Sequence, residues 1–129
     1  MSKKILITGG AGCLGSNLIE RYLPQGDEIH VIDNFATGKR EVVPGVSGLT
    51  VTEGTIVDSD LVNDVFTEFK PTHVIHSAAS YKDPSNWQED ASTNILGSIN
   101  IAKAAIENNV QRLINFQTAL CYGRQTELP

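Results

Sequence analysis

Three glycines, Gly9, Gly12 and Gly15, separate a short apolar run, Lys4-Ile5-Leu6-Ile7-Thr8, from Asn17-Leu18-Ile19-Glu20-Arg21-Tyr22-Leu23, where apolar positions take helical spacing. A glycine can take turn angles closed to other residues, and one facing an anion lets it reach main-chain amides without meeting a Cβ. A helix starting just after the turn adds unpaired N–H groups and the positive end of its dipole. The stretch is therefore suited to holding phosphates. Gly9 is expected to take the turn angles, Gly12 to admit a diphosphate, and Gly15 to let the helix lie close on the sheet. A second run, Glu28-Ile29-His30-Val31-Ile32-Asp33, ends in a carboxylate about twenty residues beyond the glycines, the spacing of a dinucleotide fingerprint. Asp33 can accept hydrogen bonds from both hydroxyls of an adenosine ribose, whereas a 2′-phosphate would meet like charge. NAD rather than NADP is expected, although Lys39 and Arg40 lie close enough to weaken that preference.

Other residues have weaker claims to chemistry. Ser77, Ala78 and Ala79 are small residues at a strand end, where a flat ring can lie on the backbone. Tyr81 and Lys82 follow in a loop and could reach a ribose or substrate hydroxyl. His73 and His76 bracket the fourth apolar run and are expected on one face, which would suit a metal pair. No third ligand is evident, so a structural role is expected and no metal site. Cys13 and Cys121 show neither metal-ligand nor redox spacing, which fits a reducing, cytoplasmic setting.

The elements that must position these residues follow from pattern. Leu49-Thr50-Val51-Thr52-Glu53 alternates and reads as a third strand. Asp58 and Ser59 can cap a helix through Leu61, Val62, Val65, Phe66 and Phe69, stopped by Pro71. Thr72 to Ser77 is a fourth strand. A long helix is expected from about Gln88 to Asn108, its apolar line running through Ala91, Ile95, Ile99, Ala102 and Ile106. Val110 to Phe116 is a fifth strand, followed by a polar, irregular end. Strands separated by helices imply a doubly wound parallel α/β sheet of the Rossmann type, 1–129 as one dinucleotide-binding domain, truncated after about the fifth strand. Ligand is expected beyond the carboxyl ends of the strands. The 129 residues carry a net charge of −5, with 40% hydrophobic and 19% charged residues, which describes a globular domain. The acidic balance argues against a nucleic-acid partner, and no apolar stretch is long enough to cross a membrane.

With these residues in view, the chain resembles the extended short-chain dehydrogenase/reductases, in particular the NAD-dependent nucleotide-sugar epimerases and dehydratases. The resemblance covers all 129 residues as the N-terminal part of a longer protein. Thr8-Gly9-Gly10-Ala11-Gly12-Cys13-Leu14-Gly15 is similar to the family's glycine turn, which adds Cys13 and Leu14 to the expected cofactor contacts. Asp33-Asn34-Phe35-Ala36-Thr37-Gly38 resembles its loop over the adenosine ribose, implying roles for Asn34, Phe35, Thr37 and Gly38. His76-Ser77-Ala78-Ala79 resembles the strand end that passes the nicotinamide. Asn94 sits where the family has an asparagine on the long helix. Gly54-Thr55-Ile56 stands where the family usually has an aspartate receiving the adenine amino group, so Thr55 and Ile56 are expected there.

The resemblance also places Thr118 at the catalytic Ser/Thr position, and implies a Tyr-x-x-x-Lys pair that this chain lacks. Tyr22, Tyr81 and Tyr122 are followed four positions on by Gly26, Ser85 and Thr126. The chain is therefore expected to be inactive alone. Family dehydratases carry an acidic pair after the threonine, where this chain reads Ala119-Leu120. The expectation is thus the NAD-binding part of an epimerase acting on a nucleotide-sugar, most simply a UDP-sugar, and dimeric at full length through the long helix. A dehydratase, a dehydrogenase and a non-catalytic NAD-binding module remain the alternatives.

Overall fold

A computed structural model describes residues 2–118 and residue 123. Its five strands are β1 (Lys4–Thr8), β2 (Glu28–Asp33), β3 (Leu49–Glu53), β4 (His73–His76) and β5 (Arg112–Asn115). They form one parallel sheet in the order β3-β2-β1-β4-β5. The order reverses direction at β1, so the crevice of a doubly wound sheet opens beyond the carboxyl ends of β1 and β4.

Strand alternation sends successive side chains to opposite faces, and both faces are covered. Ile5, Ile7, Ile29, Val31 and Ile75 pack with Ile19 of helix α1 (Cys13–Tyr22). Leu6, Ile32 and Val74 face the other way, onto Val62, Val65 and Phe66 of α2 (Ser59–Phe69) and Ile101, Ala104 and Ala105 of α4 (Ser98–Glu107). Asp58 caps α2, its Oδ1 accepting from the N–H groups of Asp60 and Leu61 at 3.0 and 3.1 Å. The helix ends at Lys70, whose left-handed backbone turns the chain before Pro71. Helix α1 starts at Cys13, earlier than the apolar spacing predicts, because the first turn of a helix need not face the core.

The long helix differs most from expectation. It comprises α3 (Trp87–Ala91), a π-helical stretch (Ser92–Gly97) and α4. Its buried side is Thr93, Gly97, Ile101, Ala104 and Ala105, whereas Ile95 is 62% and Ile106 78% exposed. The apolar line named from sequence thus points away from the sheet. The helix runs closest at Gly97, where a Cβ would lie 2.6 Å from the Ile56 side chain. Every residue of β5, the edge strand beside β4, is exposed, with Leu113 at 39% and Ile114 at 43%.

Candidate functional site

The turn between β1 and α1 folds back over the strand ends. Gly9 N–H donates to the Ile32 carbonyl at 2.9 Å, and Gly12 N–H to the Gly9 carbonyl at 3.1 Å. Gly9 has φ +72°, and a Cβ there would stand 2.9 Å from the Ala78 backbone. A Cβ on Gly15 would overlap the Gly9 carbonyl and lie 2.5 Å from Gly10 Cα. Gly15 therefore serves the approach of α1 to the glycine turn itself, rather than to the sheet as expected.

Asp33 closes the other side. It is 8% exposed. Its Oδ2 accepts from Ala11 N–H and its Oδ1 from Phe35 N–H, both at 2.8 Å. One carboxylate thus ties the glycine turn to the loop that follows β2, and each oxygen keeps acceptor capacity for a further donor.

Between these parts lies a cavity of about 470 Å³, within the range of small-molecule sites. Gly9, Gly12, Cys13, Leu14 and Gly15 line it on one side, and Asp33, Asn34, Thr37 and Gly38 at one end. Thr55 and Ile56 form a further wall, held by Asn100, whose Nδ2 donates to the Ile56 and Val57 carbonyls at 3.0 Å. Ser77, Ala78, Ala79 and Tyr81 complete it beyond β4. Three expected residues are not on this wall. Phe35 lies behind the loop with the Arg40 guanidinium 4.2 Å from its ring centre. Asn94 instead clasps Ser80, Oδ1 accepting from its N–H and Nδ2 donating to its carbonyl, both at 2.8 Å. Thr118 is exposed beyond β5, and the Ala119-Leu120 pair used to separate dehydratase from epimerase lies outside the described residues.

The strand-end segment is held from both sides. Ser77 Oγ donates to the Thr8 carbonyl at 2.7 Å, and Ala78 N–H to Thr8 Oγ1 at 3.3 Å. Thr8 then has its proton free for His76 Nδ1, 2.6 Å away. His76 Nε2 lies 2.9 Å from Ser98 Oγ, which donates to the Asn94 carbonyl at 2.8 Å. This order of donors places the single ring proton on Nε2. Burial lowers the His76 pKa and keeps the ring neutral. The two histidines of β4 do not share a face: three residues apart, they alternate to opposite sides, His76 toward α4 and His73 beside Ile5 and Tyr22. Among the described residues no group of three His, Cys, Asp or Glu could hold a metal ion.

Lys82, named with Tyr81 from the sequence, reaches the cavity, and so do Asp83, Asn86, Glu89 and Thr93, which sequence reasoning missed. Asn86 caps α3 by accepting from Glu89 N–H at 3.1 Å, and Thr93 donates to Glu89 Oε1 at 3.0 Å. An Asn-x-x-Glu pair resembling a capping box was the available signal. The Ser85 hydroxyl and N–H, both donating to Asp83, hold its carboxyl below the usual range.

The residues present suit a dinucleotide. The first turn of α1 carries neither a capping side chain nor an acid, and its residues Cys13 and Leu14 line the cavity, so the N–H groups a helix leaves without intrahelical partners at its start are not taken by a side-chain cap. The sequence model described as "NAD dependent epimerase/dehydratase family" matches residues 5–129. The chain belongs to this family. Family relatives include a UDP-glucose 4-epimerase of Halalkalibacterium halodurans, 33% identical over 97% of this chain and 37% of its own length. The crystal structure of the Bordetella bronchiseptica enzyme WbmG in complex with NAD and UDP is 66% identical and superposes with a TM-score of 0.96. It is matched over 99% of this chain and 41% of that one. WbmH of the same organism, in complex with NAD+, is 48% identical over 97% of this chain and 42% of its own, with a TM-score of 0.93. The chain spans about two-fifths of these family members. Its five-stranded parallel sheet is the Rossmann-type part of the family fold.

Proposed function

We propose that residues 1–129 are the NAD-binding domain of a nucleotide-sugar epimerase. The observation that carries this reading is the continuity of one cavity from the glycine turn, past Asp33 and Thr55, to the 77–80 segment. Its ends match what the two halves of a dinucleotide need: a carboxylate at the ribose end, helix-start amides without a side-chain cap midway, and small residues at the nicotinamide end. The residues proposed to contact NAD are Gly9, Gly12, Cys13, Leu14, Gly15, Asp33, Asn34, Thr37, Gly38, Thr55, Ile56, Ser77, Ala78, Ala79 and Tyr81. Phe35 and Asn94 support this set from behind, through the Asp33 loop and Ser80.

NAD supplies the hydride acceptor. The chain's part would be orientation: Asp33 would hold the ribose end and α1 the diphosphate, while the Thr8–His76–Ser98 hydrogen bonds fix the strand end before residues 77–80. Thr118 is proposed to hydrogen-bond the substrate oxygen that loses its proton. The base, the nucleotide-sugar contacts and a dimer through the long helix belong to the whole protein, acting in the cytoplasm. UDP-sugars are the substrate class that the names of the relatives support.

Calorimetric titration of NAD+ into the natural full-length protein tests the cofactor. Saturable binding of one NAD+ per chain is expected, and no binding by a folded sample would overturn the reading. Incubation with a UDP-sugar should give its epimer without accumulating NADH. Net NADH would identify a dehydrogenase, and binding without turnover a non-catalytic module.

A further inference from the structure

The family reading leaves unexplained how a loop carrying Lys39 and Arg40 keeps a site selective for NAD. An arginine just beyond the second strand is what accommodates a 2′-phosphate in NADP-dependent sites. Arg40 is close enough to matter. Its guanidinium lies over the ring of Phe35, whose N–H is bonded to Asp33. It also forms an ion pair with Glu53. Glu53 pairs in register with Asp33 across β2 and β3. Opposite residues of neighbouring parallel strands project to the same face about 5 Å apart. Of the three charges only Asp33 lines the cavity; Glu53 and Arg40 stand beside its adenosine end, near the lining residues Gly54 and Gly38, with Arg40 already engaged by Glu53.

Resting on the NAD assignment above, we infer that Glu53 is a specificity-determining residue: it sequesters Arg40 and so denies a 2′-phosphate the one guanidinium of this loop, leaving only the ammonium of Lys39. A phosphate entering here must compete with Glu53 for the guanidinium while facing Asp33. Two carboxylates, rather than one, then exclude NADP. The pair is solvent-exposed, at 58% and 62%, so its replacement perturbs the cofactor edge without opening the core. An exposed pair has modest strength, which sets the size of the expected effect.

The test is calorimetric titration of NAD+ and NADP+ into the natural full-length protein and three variants, Glu53→Gln, Arg40→Ala and the double variant. Glu53→Gln should tighten NADP+ about fivefold, the equivalent of an exposed ion pair released, with NAD+ changed by less than about twofold. The double variant should lose that gain. NADP+ affinity unchanged or undetectable in Glu53→Gln, or a gain surviving without Arg40, overturns the inference while NAD+ binding still stands. Failure of the folded wild-type protein to bind NAD+ would instead remove the assignment on which it rests.

Discussion

Asp33 combines an observed folding role with a proposed binding one. Its two oxygens hold Ala11 and Phe35, so replacing it frees two backbone donors as well as removing the proposed ribose contact. Hydrogen bonds to a charged group contribute about 1.5–3 kcal/mol, so Asp33→Ala should weaken NAD+ by at least about tenfold and lower the melting temperature. Titration and a thermal melt of the same sample check both. At Gly15 the constraint is steric. Gly15→Ala drives a methyl into the Gly9 carbonyl and should destabilise by about 1–3 kcal/mol, read as a shift in the urea midpoint at constant slope. Cys13 offers an independent footprint because it is exposed and on the cavity wall. Saturating NAD+ should slow its alkylation, followed by mass spectrometry of the peptide that contains it. An unchanged rate would place the dinucleotide elsewhere.

At the scale of elements, two buried histidines couple the sheet to solution pH. His30 of β2 lies 2.8 Å from Thr52 Oγ1 and His76 of β4 joins β1 to α4. Burial lowers both pKa values from 6.5, so the unfolded chain takes up protons first as pH falls. Where the unfolded state binds more protons, stability rises with pH. The stabilisation is thus complete above 6.5 and lost as pH falls from there through the lower folded values. Urea midpoints should drop from pH 7.5 to pH 5.5, and the drop should shrink in His30→Phe and His76→Phe. An equal drop in those variants would show that other groups carry it. For His76 the relay adds a second reading: nitrogen NMR should show Nε2 protonated and Nδ1 bare at pH 7.

Over the whole molecule, the outer side of α4 and of the π-helical stretch is an apolar surface of Ile95, Leu96, Ile99 and Ile106. Its exposure is what the proposed dimer through this helix requires. Ile99→Glu combined with Ile106→Glu should convert a dimer to a monomer in sedimentation at unchanged melting behaviour of the protomer. Equal masses for wild type and variant would end the dimer proposal.

Much of this protein was legible in the chain itself. The glycine spacing, the carboxylate ending β2 and the alternation of short apolar runs with helical ones name a parallel dinucleotide-binding sheet, because each is a local rule of backbone geometry. Strand boundaries shifted by only a residue or two for the same reason. What could not be read locally was which side of the long helix is inside. Period alone offers two apolar stripes, and the choice went to the one with Gly97, Ile101, Ala104 and Ala105, where the absence of a Cβ at Gly97 lets the helix meet Ile56 and Ile101 fills the core beside it. Nor could spacing show that Asn94 clasps Ser80, that Arg40 answers to Glu53, or that His76 bridges Thr8 and Ser98. These partners lie 13 to 68 residues apart. Local pattern determined the elements and most of the residues that line the cavity. Tertiary packing alone decided which polar groups pair, since a hydrogen bond depends on where distant segments are brought within about 3 Å.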